Sequence, residues 1–160
     1  MTKKLKKTTA LKKRAVVYPV GYTDYKNRNF DWAINTKYLY TERVCHGDFV
    51  PKYSLLMDSN LLGIIQKMDS YRGWIWKNIE MSNSGTSCGV MEVAKLDTRE
   101  MVTKHLEYIK EDVDVIYKME INNHHRVWGI RKQDCLYLVW NDRDHSFYKH
   151  KNKNYTQKKC

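Results

Sequence analysis

Between residues 124 and 150 the chain sets out three polar groups in quick succession: His124-His125-Arg126, Asp142-Arg143-Asp144-His145 and Tyr148-Lys149-His150. Imidazole exchanges protons near neutral pH. Guanidinium grips a phosphate through paired N–H bonds, and ammonium stabilises charge that develops on oxygen. Arg126, His145, Tyr148 and Lys149 are therefore the candidate catalytic set for a phosphodiester, with Arg126 on the phosphate and His145 as acid or base. Cleavage of RNA by its own 2′-hydroxyl needs only proton transfer and charge stabilisation, so this set calls for no metal. A plainer account competes: Asp142 and Asp144 shape a turn and ion-pair with Arg126 or Arg143. No HExxH or facial-triad spacing and no CxxC pair occurs, and Gly85-Thr86-Ser87-Cys88-Gly89 lacks the Lys-Ser/Thr end of a phosphate loop. Neither a metal nor a cofactor is expected.

The net charge of +11 is unevenly spread. Lys3, Lys4, Lys6, Lys7, Lys12, Lys13 and Arg14 stand in residues 1–14 with no acid, and five more lysines stand in residues 149–160. The segment between them, 15–148, is left at −1. Basic segments of this kind draw polyanions by counterion release and long-range steering, with little sequence preference. The seven N-terminal cations, with Arg131 and Arg143, form the candidate binding set. Tyr22, Tyr25, Lys26, Arg28, Phe30 and Trp32 interleave stacking faces with cations as single-strand binders do, although a core-and-surface account fits them as well.

These groups need a scaffold. Residues 15–150 are expected to form one α+β domain between disordered basic tails at 1–14 and 151–160. A short strand is expected at 15–18, and a half-buried one over 29–40, from Trp32, Ile34, Tyr38 and Tyr40 at even spacing. A helix is expected from Ser59 to Met68, capped by Asp58 or Ser59, and a short second one around Trp74–Ile79. Residues 82–89 read as a loop, and a helix capped by Asp97 or Thr98 runs to Ile109. Strands follow at about 113–121, 124–131, 135–141 and 145–149. They make an antiparallel sheet over about 113–149, packed against two or three helices lying on one face. In the hairpin, Arg126, Trp128 and Ile130 share a face, and Leu136, Leu138 and Trp140 share one in the partner strand. Trp128 and Trp140 are assigned to the core, and Gly129 permits close backbone approach.

Cys45, Cys88, Cys135 and Cys160 are unpaired by spacing, no secretory h-region follows the basic start, and no run is long enough to span a membrane. A cytoplasmic protein with reduced thiols is expected. The elements Trp76–Ile79, Arg126–Arg131, Trp140–Asp142 and Tyr148–His150 resemble a family of small bacterial and phage-borne proteins with the pattern Trp-x-x-Ile, Arg-x-x-Gly-x-Arg, Trp-x-Asp and Tyr-x-His. Helices before a sheet with basic and aromatic late strands are also similar in layout to RelE/ParE-type toxins. Ribonuclease members of that superfamily cut ribosome-bound messenger RNA with Arg, Lys, His or Tyr groups on late strands. The resemblance implies the same work for Arg126, His145, Tyr148 and Lys149, with RNA or the ribosome as partner and an antitoxin or host protein as a further one. Two other readings stay open: a non-catalytic inhibitor of a host nucleic-acid-processing machine, and a simple RNA- or DNA-binding module.

Overall fold

Apolar side chains alternate along the last third of the chain, and a computed structural model, which describes residues 24–81 and 88–148, pairs these segments into a sheet. Strands β3 (Val115–Glu120), β4 (Arg126–Lys132) and β5 (Cys135–Asp142) form consecutive antiparallel hairpins. Two short edge strands complete five, in the order β1-β5-β4-β3-β2, with β1 at Asp31–Ala33 and β2 at Cys88–Glu92. Strand β2 is antiparallel to β3, whereas β1 runs parallel to β5. The fold is α+β with a mostly antiparallel sheet. Residues 1–14, the strand expected at 15–18, most of the loop at 82–89 and residues 149–160 lie outside the described residues.

Both faces of the sheet are covered, in contrast to the one face expected. On one, Ile64 and Met68 of α1 (Leu61–Asp69) and Trp76 and Ile79 of α2 (Trp76–Met81) pack on Tyr117, Met119, Val127, Leu136 and Leu138. On the other, Val102, Leu106 and Ile109 of α3 (Arg99–Ile109) pack on Ile116, Trp128, Ile130, Val139 and Trp140. Apolar residues on both sides of β4 and β5 demand this arrangement, because a sheet exposed on one side needs polar residues there.

The face assignment of β5 is corrected at one point. Trp128 pairs with Trp140, yet Gly129 pairs with Leu138, so Val139 is an extra residue on β5. Such a bulge shifts the side-chain phase by one. Val139 and Trp140 both enter the α3-side core, and Leu136 and Leu138 stay on the α1 side. Gly129 is required here: a Cβ on it would lie 2.3 Å from the Tyr137 carbonyl oxygen. The half-buried strand expected over 29–40 shrinks to three residues. Asn35 breaks it, accepting the Lys37 amide on its side chain at 2.9 Å and the Tyr38 amide on its carbonyl at 2.9 Å. The chain then rounds the sheet edge, which places Trp32 in one core and Tyr38 and Tyr40 in the other. Cys88 and Gly89, expected in a loop, pair with Met119 and Lys118 in β2. The strand expected at 145–149 does not form over its described part, where turns and bends lead from Asp142 to Tyr148.

Candidate functional site

The β3–β4 turn and the end of β5 meet at one end of the sheet, and most of the expected polar residues gather there. Asn122 organises the turn by accepting the backbone amides of His124 (3.0 Å) and His125 (2.9 Å) on its side-chain oxygen. Across from it, the buried Asp142 carboxylate accepts the Ser146 amide at 2.8 Å and the Trp128 indole N–H at 3.2 Å. These bonds close a loop in which His145 takes a left-handed backbone, φ 56°. Burial pushes the Asp142 carboxyl above the usual carboxylate range, against the bonds from Trp128 and Ser146. The two anchored loops bring the His124 and His145 rings to 6.4 Å between centres, nearly perpendicular at 77°. His124 is exposed and His145 half-buried.

Beneath this end, on the α1 side, lies a buried polar cluster. Asp58 Oδ1 accepts the Asn60 amide at 2.7 Å, and Asp58 Oδ2 accepts Asn141 Nδ2 at 2.8 Å. That orientation turns Asn141 Oδ1 toward His125 Nε2, 2.6 Å away. His125 Nε2 also lies 3.3 Å from Asp58 Oδ2. Both neighbours are acceptors, so His125 carries a proton on Nε2. Arg143 reaches over from β5's end, with Nε 3.8 Å from Asp58 Oδ2 and a side chain 56% exposed.

The expected catalytic residues divide. Arg126 is buried, and its guanidinium faces Glu120 at 3.0 Å and donates to the carbonyls of Asn122 (2.5 Å) and His125 (3.1 Å). A guanidinium spent in this way fastens the turn and leaves little for a phosphate. Tyr148 packs edge-on against Trp128 (5.9 Å, 81°), with Lys118 Nζ 5.7 Å from its ring centre. His145 is half-buried with its Nε2 inside the protein, and Lys149 lies outside the described residues. Of the expected binding residues, Arg143 is at this end. Arg131 is at the opposite end of β4, where it donates to the Tyr117 hydroxyl (3.0 Å) and lies 5.7 Å from the Trp76 ring. Lys3, Lys4, Lys6, Lys7, Lys12, Lys13 and Arg14 lie outside the described residues.

His124 and the Asp58–His125–Asn141 cluster were not among the expected site residues. His124 belonged to the polar run but had no partner by spacing. Asp58 read as a helix cap, and nothing local ties it to a strand far along the chain. Among the described residues, no helix is long and apolar enough to cross a membrane, and Cys45, Cys88 and Cys135 are free. No protein-family model, no curated protein and no solved structure matches the chain, so its fold and its sheet end stand on their own geometry.

Proposed function

We propose that this chain is a nucleic-acid-directed protein whose working surface is the sheet end of His124, Arg143, His145 and Tyr148, with single-stranded RNA as its polymer. One observation carries the reading. Tyr148 packs edge-on against Trp128 at this end, and in the sequence it is followed by Lys149, Lys151, Lys153, Lys158 and Lys159. Five cations thus follow a surface of imidazole, phenol and guanidinium. Single-stranded RNA is read by stacking on Tyr, His and Arg planes while cations neutralise its phosphates. Ribosome-bound message is one form of that polymer.

The test is fluorescence anisotropy with a labelled single-stranded RNA across a salt series. The association constant is expected to fall linearly with salt on logarithmic axes, and to weaken when Arg143, Lys149 and Lys151 are changed to Ala together. No binding at about 50 mM salt, where phosphate contacts are strong, would end the proposal.

A second reading, a non-catalytic protein docking on a host nucleic-acid-processing machine, draws on a different surface. Leu56 and Met57 are 53% and 67% exposed beside an open cleft of about 430 Å³ lined also by Leu39, Val44 and Phe49. Exposed apolar groups around a cleft fit a protein partner. This reading predicts a salt-resistant host complex that Met57→Asp disrupts and Arg143→Ala leaves intact.

A further inference from the structure

We infer that the open edge of β2 is a homodimer interface, on which a second copy of the chain adds its own β2 antiparallel about Val90. Two backbone bonds set the phase of the strand. Val93 donates its amide to the Asp114 carbonyl at 2.9 Å, and Ile121 donates to the His125 carbonyl at 2.9 Å. Along an antiparallel ladder the bonded side alternates with every residue. Lys118 and Ile116 therefore turn their amides and carbonyls toward Gly89 and Met91, and Cys88, Val90 and Glu92 turn theirs away from β3.

Among the described residues, β3 is the one strand beside β2, and no side chain bonds to the Val90 backbone. The opposite edge of the sheet is closed. In β1, Trp32 donates its outward amide to the Asp31 carboxylate at 2.8 Å, and its carbonyl accepts Arg72 Nη2 at 3.5 Å. Strand β1 is also three residues long, whereas β2 has five in unbroken register, with no proline and no lysine. Short edges capped by charged side chains resist pairing, and a longer uncapped edge invites it.

The occupant is a second β2 because the strand is complementary to itself. A two-fold axis at Val90 makes Val90 and its counterpart a hydrogen-bonded pair, which the outward amide and carbonyl permit. Cys88 then stands opposite Glu92 of the partner subunit, and Gly89 opposite Met91 of the partner subunit, so no like charges meet. Val90 is 46% exposed beside Tyr117 on the α1 side, and the axis covers it with its own counterpart. Lys95, the first base after the strand, is held by Glu92 at 2.8 Å.

The patch is small. Five residues a side give few ladder bonds, so association is expected at about 10 to 100 μM chain. Salt screens repulsion between the basic segments and leaves backbone pairing in place. The dimer is therefore expected to persist at salt concentrations that release RNA.

Sedimentation equilibrium of the full chain over a concentration series tests this, with circular dichroism as the check on folding. The wild type is expected to dimerise reversibly. Val90→Lys and Val90→Glu should each weaken the dimer by about tenfold or more, because like charges then face each other across the axis. An equal mixture of the two variants should restore it, since Lys then faces Glu. Amide exchange gives a second reading from the wild type alone. The Val90 amide should slow as concentration rises, while the Gly89 and Met91 amides, already bonded to β3, change little. A chain that stays monomeric to about 200 μM would overturn the inference. So would a dimer indifferent to both charges, or a mixture no tighter than either variant alone. A Val90 amide protected equally at every concentration would also sink it, because the chain itself would then cover the edge.

Discussion

Two histidines lie buried on opposite sides of the sheet, and their surroundings have little in common. His125, on the α1 side, is bonded to Asn141 and lies beside Asp58, within reach of the surface through Arg143. His105, on α3, is fully buried between Tyr40 and Trp140, each ring 5.3 Å away, and neither of its nitrogens has a hydrogen-bond partner among the described residues. Desolvation lowers the His105 pKa from 6.5 to about 4. The first is a polar fixture that holds the turn carrying His124. The second behaves as an aromatic filler that stays neutral until the pH falls to about 4. Burial alone does not say what a histidine does; its neighbours within bonding distance decide.

The largest test of this contrast removes the carboxylate. Asp58→Ala leaves Asn141 Nδ2 buried without its 2.8 Å acceptor and removes the bond from the Asn60 amide, and at about 2 and about 1 kcal/mol the chain should lose about 3 kcal/mol in urea unfolding at neutral pH. A loss under about 1 kcal/mol would mean that water replaces the carboxylate and that the cluster is no fixture.

The aromatic side should respond to acid. His105 has a depressed folded pKa, so its contribution is complete above the unfolded value of 6.5 and declines as pH falls toward about 4. The expected loss is about 1.4 kcal/mol per pH unit, or roughly 3 kcal/mol across the window. Urea midpoints between those pH values measure it, and His105→Phe should flatten the curve. An equally steep curve in that variant would assign the acid sensitivity to other groups.

A third change strikes the bulge that separates the two sides. Gly129→Ala would drive a methyl into the Tyr137 carbonyl and cost about 2 kcal/mol, and Gly89→Ala, whose methyl meets only the flexible end of the Lys118 side chain at 3.2 Å, is the control. If Gly129→Ala unfolds at the wild-type midpoint, the close approach is not a constraint. The smallest effect is expected at the surface, where Lys52→Ala breaks an exposed pair with Asp144 and should cost under about 0.5 kcal/mol, read as a small midpoint shift.

Much of the scaffold was legible in the residues. Met68 of α1, and Val102, His105, Leu106 and Ile109 of α3, fall at the helical spacing read from the sequence and are buried, whereas Leu62 is 67% exposed and Ile64 fills the α1 core instead. The β4–β5 hairpin followed from apolar alternation around Lys132-Gln133-Asp134, and its tryptophans are core. The strand expected at 145–149 was misread because Phe147 is buried through turn geometry, with its ring stacked at 13° on Trp128, and not through a strand's alternation. The site was legible only as a composition. Its residue types were visible, but Arg126 proved to be tied to Glu120, and His124 gained a partner that no spacing rule connects to it.

By itself, then, the sequence determined the helix stripes, the hairpin run, the aromatic core and the placement of basic charge at both ends, since these depend on periodicity and local composition. Tertiary structure alone decided which polar groups meet. A bulge at Val139 changed the face of Trp140, a parallel edge strand joined residues 31–33 to β5, and Asp58 came to rest against His125 and Asn141. Contacts of that kind follow from how the chain crosses the sheet, and a phase shift of one residue is enough to exchange the groups on either face.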